Sequence, residues 1–251
     1  MGEVRLERSG PVATITIDRP ASRNALNQAA MAGLDSALRQ VADWAVHAVF
    51  LRGAGDRAFI AGGDVKELES NRDAAFALDM ARRMRSTLDL IPALPMPVVA
   101  VVNGPAIGGG AEVAVACDYR LAVADARIGF TQARLGLMPA WGGIERLGAL
   151  VGRGQALLLL TTGRELDAAE AQRIGLFEEL VARADLESRL QDLAGQLAAV
   201  PRSALAGIKR ALEAAQPYAR PELAAAATAD FAGTWADPAH WEALEKRRSV
   251  R

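Results

Sequence analysis

The feature that most constrains the fold is the segment 97–118, in which an apolar run leads through a turn into three consecutive glycines. The run Val98–Val102 is short and β-branched, which is typical of a strand buried on both faces of a parallel sheet. The glycines at 108–110 begin an alanine- and valine-rich stretch that predicts a helix reaching about Cys117. Bare backbone N–H groups and the helix dipole at such an N-terminus favour a negatively charged group.

A second segment, 59–64, repeats this order of apolar residues, glycines and helix, with a short helix predicted at 65–69. We expect the two glycine segments, 59–64 and 97–118, to lie side by side, each presenting one backbone N–H to the same point. Glu112 falls in the first turn of the central helix among apolar neighbours. A carboxyl group there is costly unless it has a partner or a function.

The rest of the chain alternates short apolar strands with glycine loops and helices, and this pattern predicts an α/β architecture. The predicted strands are 4–8, 12–18, 48–52, 98–102, 120–123, 127–130 and 175–180. The predicted helices outside the glycine segments are 28–42, 73–91, 144–151, 155–161, 168–174, 186–199, 203–215 and 221–233, with a further short helix in the tail. A change of composition near residue 184 predicts a core over 1–184 and a helical C-terminal region over 185–251.

Composition excludes several classes of function. A net charge of −1 over 251 residues gives no electrostatic attraction to nucleic acid or to an acidic membrane. No apolar stretch has the length of a signal peptide or a membrane span, and the single cysteine, Cys117, fits a reducing compartment. We therefore expect a cytoplasmic location. The two histidines, His47 and His240, lie outside the glycine motifs, so no metal site is expected.

Four motifs in order resemble the crotonase (enoyl-CoA hydratase/isomerase) superfamily. They are RPASRNALN near the start, FIAGGDVKEL at 59–68, NGPAIGGGAEVAVACDYRLAVADARIGF from residue 103, and AWGGIERL at 140–147. The resemblance implies a ββα spiral core and a C-terminal helical trimerisation region, with a homotrimer or a hexamer made of two trimers. It also implies an acyl-CoA thioester as the substrate, with coenzyme A as part of that substrate and no separate cofactor.

The resemblance also implies which residues form the site. The backbone N–H groups of Gly63 and Gly109 would stabilise an oxyanion, and Glu112 would be the acid or base. Without the resemblance, the glycines would be interpreted only as turns and a helix start. The positions that match substrate-binding residues of the family are Arg23, Ala25, Ala61, Gly62, Val65, Lys66, Gly108 and Trp141. For Arg23 and Lys66 the alternative is ordinary solvated charge, and for Trp141 it is core packing. Lys246 would reach the nucleotide of a neighbouring subunit, against the alternative of a solvated helix face.

The chain departs from the family's hydratases after Phe130. Those enzymes carry a second glutamate in a Pro-Glu pair, whereas FTQARLGLMP has no carboxylate between Phe130 and Pro139. Decarboxylation of a malonyl-type thioester needs only one acid and an oxyanion site. The segment FTQARLGLMPAWGG and the tail motif at 231–240 resemble the ethylmalonyl/methylmalonyl-CoA decarboxylase-like branch. We therefore expect a decarboxylase-like lyase with Glu112 as the sole acid or base.

Two other interpretations stay open. Within the enzyme class, one shuttling glutamate is also compatible with a double-bond isomerase, and a weak enoyl-CoA hydratase is the other alternative. From another class, the chain could be a catalytically silent subunit that binds acyl-CoA, because one of the two usual carboxylates is absent. Glu112 together with both glycine segments favours an active enzyme.

Overall fold

The structure, a computed structural model, describes residues 2–215 and 221–249, and it confirms the α/β fold. The strands in this part of the chain are β1 (Val4–Ser9), β2 (Val12–Ile17), β3 (Ala48–Gly53), β4 (Val98–Val102), β5 (Ala106–Ile107), β6 (Tyr119–Val123), β7 (Arg127–Gly129), β8 (Glu165–Asp167) and β9 (Glu179–Val181). Six of them form a sheet in the order β1-β2-β3-β4-β6-β9, in which only the β1–β2 pair is antiparallel. The other three form a small sheet, β5-β7-β8.

Helices cover both sheets and make up the end of the chain. They are α1 (Gln28–Ala42), α2 (Val65–Leu68), α3 (Ala74–Leu88), α4 (Leu90–Ala93), α5 (Gly109–Ala116), α6 (Gly143–Val151), α7 (Arg153–Thr162), α8 (Ala168–Arg173), α9 (Leu186–Ala198), α10 (Arg202–Ala214), α11 (Pro221–Ala236) and α12 (Pro238–Ser249). Helix α11 packs along α3, and α12 packs against the 3₁₀ turn Thr131–Leu135. The C-terminal helices therefore fold back over the core of their own chain.

Strand β4 is the centre of the core, and all five of its residues are fully buried. It pairs in parallel with β3 on one side and β6 on the other, so its β-branched side chains face covered surfaces on both faces of the sheet. Just beyond its end, the buried side chain of Asn103 donates to the Gly53 carbonyl (2.9 Å) and accepts from the Gly53 N–H (3.2 Å). This pair of bonds locks together the carboxyl ends of β3 and β4, from which both glycine segments leave the sheet.

The two glycine segments lie side by side, as predicted. The Ile107 N–H donates to the Ile60 carbonyl at 3.0 Å, and this bond joins the segments directly. A Cβ atom added at Gly110 would lie only 1.9 Å from that same carbonyl oxygen. The close approach of α5 to the first segment is therefore possible only because residue 110 has no side chain.

Local details differ from the sequence predictions in three places. The predicted helix 73–91 is two helices, and Pro92 lies inside the second one, α4. The proline is tolerated because it stands in the first turn, where a backbone N–H has no helical acceptor. The strand predicted at 175–180 is wrong for its first four residues. There the Leu176 N–H donates to the Ala171 carbonyl, and pairing with β6 begins only at Glu179. The short strands β5 and β8 were not predicted, because two or three residues are too few to show an alternation of apolar and polar side chains.

We predict that Gly110→Ala destabilises the protein, because the new methyl group would collide with the Ile60 backbone and force the glycine segments apart. Overpacking of this kind costs about 1–3 kcal/mol, which would appear as a lower midpoint of thermal unfolding by circular dichroism. The matched control is Gly148→Ala in helix α6, where an added Cβ meets nothing within 4 Å. That variant is expected to be as stable as wild type or slightly more stable. Equal unfolding midpoints for Gly110→Ala and wild type would contradict the prediction.

Candidate active site

The two glycine segments and the C-terminal helices enclose an inner cavity of about 150 Å³. An outer cleft of about 630 Å³ lies next to it, and Ala61, Val65 and Arg247 are among the residues that border both. The inner cavity brings together predicted site residues from both glycine segments and from the later AWGG motif. These are Ala61, Gly62, Gly63, Val65, Gly108, Gly109, Glu112 and Trp141.

Two backbone amides in the wall of the inner cavity are free to bind a ligand. Within the described part of the chain, neither the Gly63 N–H nor the Gly109 N–H donates to an acceptor, although the N–H groups of Asp64 and Gly108 do. The Asp64 N–H, for example, donates to the Leu26 carbonyl at 2.8 Å. The segments touch here, because a Cβ atom built on Gly62 would lie 3.6 Å from the Gly109 nitrogen. Two free donors in one cavity can hold an oxygen atom that carries negative charge.

The Glu112 carboxyl group is buried beside these amides and is hydrogen-bonded at both oxygens. Its Oε1 accepts from the backbone N–H of Trp141 (2.8 Å) and of Gly143 (3.0 Å), and its Oε2 accepts from Gln132 Nε2 (2.9 Å). Burial raises the pKa of Glu112 to about 7, against the lowering effect of the backbone hydrogen bonds, and the charge of nearby Glu145 adds to the rise. A carboxyl group with this pKa can give or take a proton near neutral pH.

The loop 141–143 directs the N–H groups of Trp141 and Gly143 towards Glu112, and the Trp141 carbonyl on its opposite side is held by Arg146. The buried Arg146 donates through Nη1 to the Trp141 carbonyl (3.0 Å) and through Nη2 to Asp89 Oδ1 (2.5 Å). There is no room for a side chain at Gly143, where a Cβ atom would lie 2.5 Å from Glu112 Cγ. The loop is therefore fixed by the ion pair of Arg146 and Asp89 on one side and by the Glu112 carboxyl group on the other.

Trp141 combines the two alternatives that its sequence position left open. Its ring packs directly on Gly109, where a Cβ atom would approach the ring to 2.2 Å, and the side chain is almost fully buried. The same ring lines the inner cavity. Trp141 is thus a core residue whose ring also forms a surface that a ligand could contact.

Aromatic side chains from the C-terminal helices close the inner cavity. The Trp235 ring centroid lies 5.9 Å from that of Phe231 and 5.2 Å from that of Trp241, and Trp235 Nε1 donates to the Asn71 carbonyl. His240 contacts the Leu135 carbonyl through Nδ1 at 2.5 Å and so ties α12 to the 3₁₀ turn. We call Phe231, Trp235 and Trp241 the aromatic wall. The sequence marked this stretch only as a branch motif, without indicating that it covers the site.

The outer cleft is basic. Of the residues predicted to bind the substrate, Arg23 and Lys66 line it, but Ala25 lines neither the cleft nor the inner cavity. Ala25 is buried, and its carbonyl accepts from Arg19. The cleft also contains basic residues that the sequence analysis did not identify, and Lys246 is not part of its lining. The additional basic residues are Arg127, Arg247 and Arg248.

Two further features are absent from residues 2–215 and 221–249. No group of three or more histidine, cysteine, aspartate or glutamate side chains is arranged to hold a metal ion. No helix in these ranges is both long enough and apolar enough to cross a lipid bilayer.

The fold and the paired glycine segments define a crotonase-type protein. The model of the family described as enoyl-CoA hydratase/isomerase matches residues 7–242. The chain therefore belongs to the enoyl-CoA hydratase/isomerase family, which acts on acyl-CoA thioesters.

Individual relatives carry different names. The chain is 38% identical to a short-chain-enoyl-CoA hydratase of Clostridium acetobutylicum over 78% of this chain and 76% of that protein. It is 30% identical to an ethylmalonyl-CoA decarboxylase of Danio rerio over 97% of this chain and 82% of that protein. Among solved structures, an enoyl-CoA hydratase from Mycobacterium avium subsp. paratuberculosis superposes with a TM-score of 0.87 at 29% identity, covering 97% of this chain and 98% of that one.

We predict that Glu112→Gln raises stability in a pH-dependent way. The folded-state pKa of about 7 lies above the ordinary value of 4.5, so the folded state holds a proton that the unfolded state loses as pH rises. Stability is therefore lost between about pH 4.5 and 7 in wild type, whereas the amide variant has no charge to bury. The unfolding midpoint of the variant relative to wild type should rise from pH 5 to pH 7.5. A difference that stays constant over this range would contradict the assignment.

Proposed function

We propose that this protein is an acyl-CoA lyase that decarboxylates a short malonyl-type thioester through an enolate, with Glu112 as its only acid or base. One observation carries the proposal. Among the described residues that line the inner cavity, Glu112 is the only carboxylate, beside two free amide donors. The similarity to the Danio rerio decarboxylase over nearly the whole chain agrees with it.

In the proposed reaction, the thioester oxygen accepts hydrogen bonds from the N–H groups of Gly63 and Gly109. The bond between the α-carbon and the substrate carboxylate breaks, CO₂ leaves, and the electron pair forms an enolate whose charge rests on that oxygen. One such donor is worth about 2.7–4 kcal/mol of transition-state stabilisation. The neutral Glu112 carboxyl then gives its proton to the α-carbon, and the resulting carboxylate regains a proton from solvent.

The outer cleft is proposed to bind the coenzyme A part of the substrate. Arg23, Lys66 and Arg127 line it together with Arg247 of helix α12, and guanidinium and ammonium groups bind phosphates well. Because α12 covers its own core, Arg247 can serve the cleft of its own chain. Binding of the coenzyme A phosphates would then not need a basic residue from a neighbouring subunit, which is the role that the sequence analysis expected for Lys246.

The size of the inner cavity supports a short acyl group. Its volume of about 150 Å³ is half the lower end of the roughly 300–1,000 Å³ that is usual for pockets binding drug-sized ligands. The aromatic wall closes the end of the cavity. Branched groups of a few carbons fit this space, whereas long fatty acyl chains do not.

Hydration of a short enoyl-CoA is the second candidate, and the name of the Clostridium acetobutylicum relative favours it. Water addition is assisted by two carboxylates, one that places the water and one that moves a proton, and only Glu112 is available in the lining of the inner cavity. A double-bond isomerase using Glu112 alone and a silent acyl-CoA-binding subunit are the remaining alternatives. A homotrimer or hexamer and a cytoplasmic location stay predictions from the sequence.

The test compares CO₂ release from ethylmalonyl- and methylmalonyl-CoA with hydration of crotonyl-CoA and isomerisation of a 3-enoyl-CoA. We predict that a malonyl-type ester is turned over fastest and that Glu112→Gln lowers kcat about 10²–10⁴-fold. Because the reaction needs the neutral acid, kcat should fall as pH rises through about 7. The control is Glu242→Gln, an exposed carboxylate on α12 outside both cavities, which should keep wild-type activity.

Faster hydration of crotonyl-CoA than CO₂ release would favour the hydratase. Tight binding of acyl-CoA esters without any turnover would leave the silent subunit as the function.

We also predict that Phe231→Ala extends the range of substrates. Removing the phenyl ring enlarges the inner cavity, so kcat/KM for hexylmalonyl-CoA relative to ethylmalonyl-CoA should rise about tenfold or more, the scale on which added methylenes are discriminated. The matched control is Phe76→Ala. Phe76 lies near the Trp235 ring (centroids 6.4 Å apart) but does not line the cavity, so its removal should leave the ratio unchanged. Equal ratios in both variants would exclude Phe231 as the chain-length limit.

A further inference from the structure

Gln132 is the polar side chain in contact with the second oxygen of Glu112, and the proposed reaction gives it no role. It belongs to the 3₁₀ turn Thr131–Leu135 and lines the inner cavity. Its Nε2 donates to Glu112 Oε2 at 2.9 Å, while its own Oε1 is buried and has no partner in the described part of the chain. A buried amide oxygen without a hydrogen-bond partner, in a side chain whose Nε2 is bonded, is unusual in a folded protein.

The two oxygens of Glu112 are not equivalent. Oε1 already accepts two backbone N–H groups, from Trp141 and Gly143, and these use both of its lone pairs. When Glu112 is neutral, its proton must therefore sit on Oε2. The transferable proton is consequently carried by the oxygen next to Gln132.

The amide of Gln132 can serve both forms of this oxygen. Its N–H end donates to the ionised carboxylate, as in the structure. A half turn of the amide about its last side-chain bond would bring the unpartnered Oε1 to the same place, where it could accept the O–H of the neutral acid. A carboxylate side chain in this position would lack the N–H donor, and an apolar one would lack both groups.

We propose that Gln132 is the positioning residue for the proton-carrying oxygen of Glu112. It holds Oε2 in place while Glu112 gains and loses its proton, and its neutral amide keeps a second negative charge out of the inner cavity. The inference deepens the proposed function, because it requires Glu112 to exchange a proton with the α-carbon of a bound acyl-CoA. It does not depend on whether that exchange is part of decarboxylation, hydration or isomerisation.

The test is α-hydrogen exchange of butyryl-CoA in D₂O, followed by NMR. The Glu112 carboxylate takes the α-hydrogen, the C–H electron pair moves to the thioester oxygen as an enolate, and the carboxyl group, after exchange with solvent, returns deuterium to the carbon. We expect Gln132→Met, which keeps the length of the side chain, to slow kcat for exchange about tenfold, the effect of losing one hydrogen bond to a charged group. KM should stay near the wild-type value. Gln172→Leu, at an exposed glutamine on α8, is the control.

The second variant, Gln132→Glu, has nearly the same shape as the wild-type side chain. It should exchange at lower pH than wild type, because two carboxyl groups that share one proton keep one carboxylate available as the base. At high pH both groups ionise and repel the enolate, so exchange should fall there, whereas wild-type exchange rises as pH passes about 7. The other charged groups near Glu112 are Glu145 of α6, which pairs with Arg85, and His240 and Arg247 of α12. They are the same in all variants and so cannot produce the difference.

The outcomes separate this inference from the choice of reaction. Exchange that falls in Gln132→Met while no malonyl ester is decarboxylated supports the role of Gln132 and rejects decarboxylation. Wild-type exchange rates in Gln132→Met, or an equal loss in the Gln172→Leu control, would overturn the inference. A Gln132→Glu variant with the pH profile of wild type would also overturn it, even if the Met variant failed to fold. Absence of exchange in wild type would overturn the inference, whereas decarboxylation, which needs no abstraction of an α-hydrogen, is judged by CO₂ release alone.

Discussion

The structure of the site depends on keeping one carboxyl group, Glu112, out of water. Burying a carboxylate costs several kcal/mol, and hydrogen bonds to a charged group return about 1.5–3 kcal/mol each. Three such bonds reach Glu112, yet burial still raises its pKa to about 7. The fold therefore holds this group at the balance point between its two forms. A weaker set of donors would leave it permanently neutral, and a stronger set would leave it permanently ionised.

The donors are held in place by ion pairs that lie behind them. Arg146 binds the Trp141 carbonyl and Asp89, and Arg85 pairs with Glu145, so α6 is tied twice to the end of α3. Helix α3 also packs along α11, which carries Phe231 and Trp235 of the aromatic wall. One helix thus supports both the loop that binds the carboxyl group and the wall that closes the cavity. A displacement of α3 would therefore move both the loop that binds Glu112 and the aromatic wall.

The sequence predicted those parts of the site that are encoded locally. The strand Val98–Val102 and the glycines around Gly109 are continuous in sequence, so their pattern could be interpreted directly, and both glycine segments lie together as expected. Gln132 and Arg247 could not be found this way. Their place in the site depends on how a 3₁₀ turn and the last helix pack against distant elements. The difference between the predicted strand 175–180 and β9 has a similar cause, because pairing with the distant strand β6 decides where β9 begins.

In the proposed decarboxylation, the absence of a second carboxylate from the lining of the inner cavity favours the reaction. In that reaction negative charge moves from the substrate carboxylate to the thioester oxygen. Only interactions that are stronger after this movement accelerate it. The free amides of Gly63 and Gly109 stabilise the charge where it arrives. A second carboxylate would repel the enolate and oppose the same movement. The neutral amide of Gln132 avoids this repulsion, so one titratable acid and one neutral amide together favour the enolate.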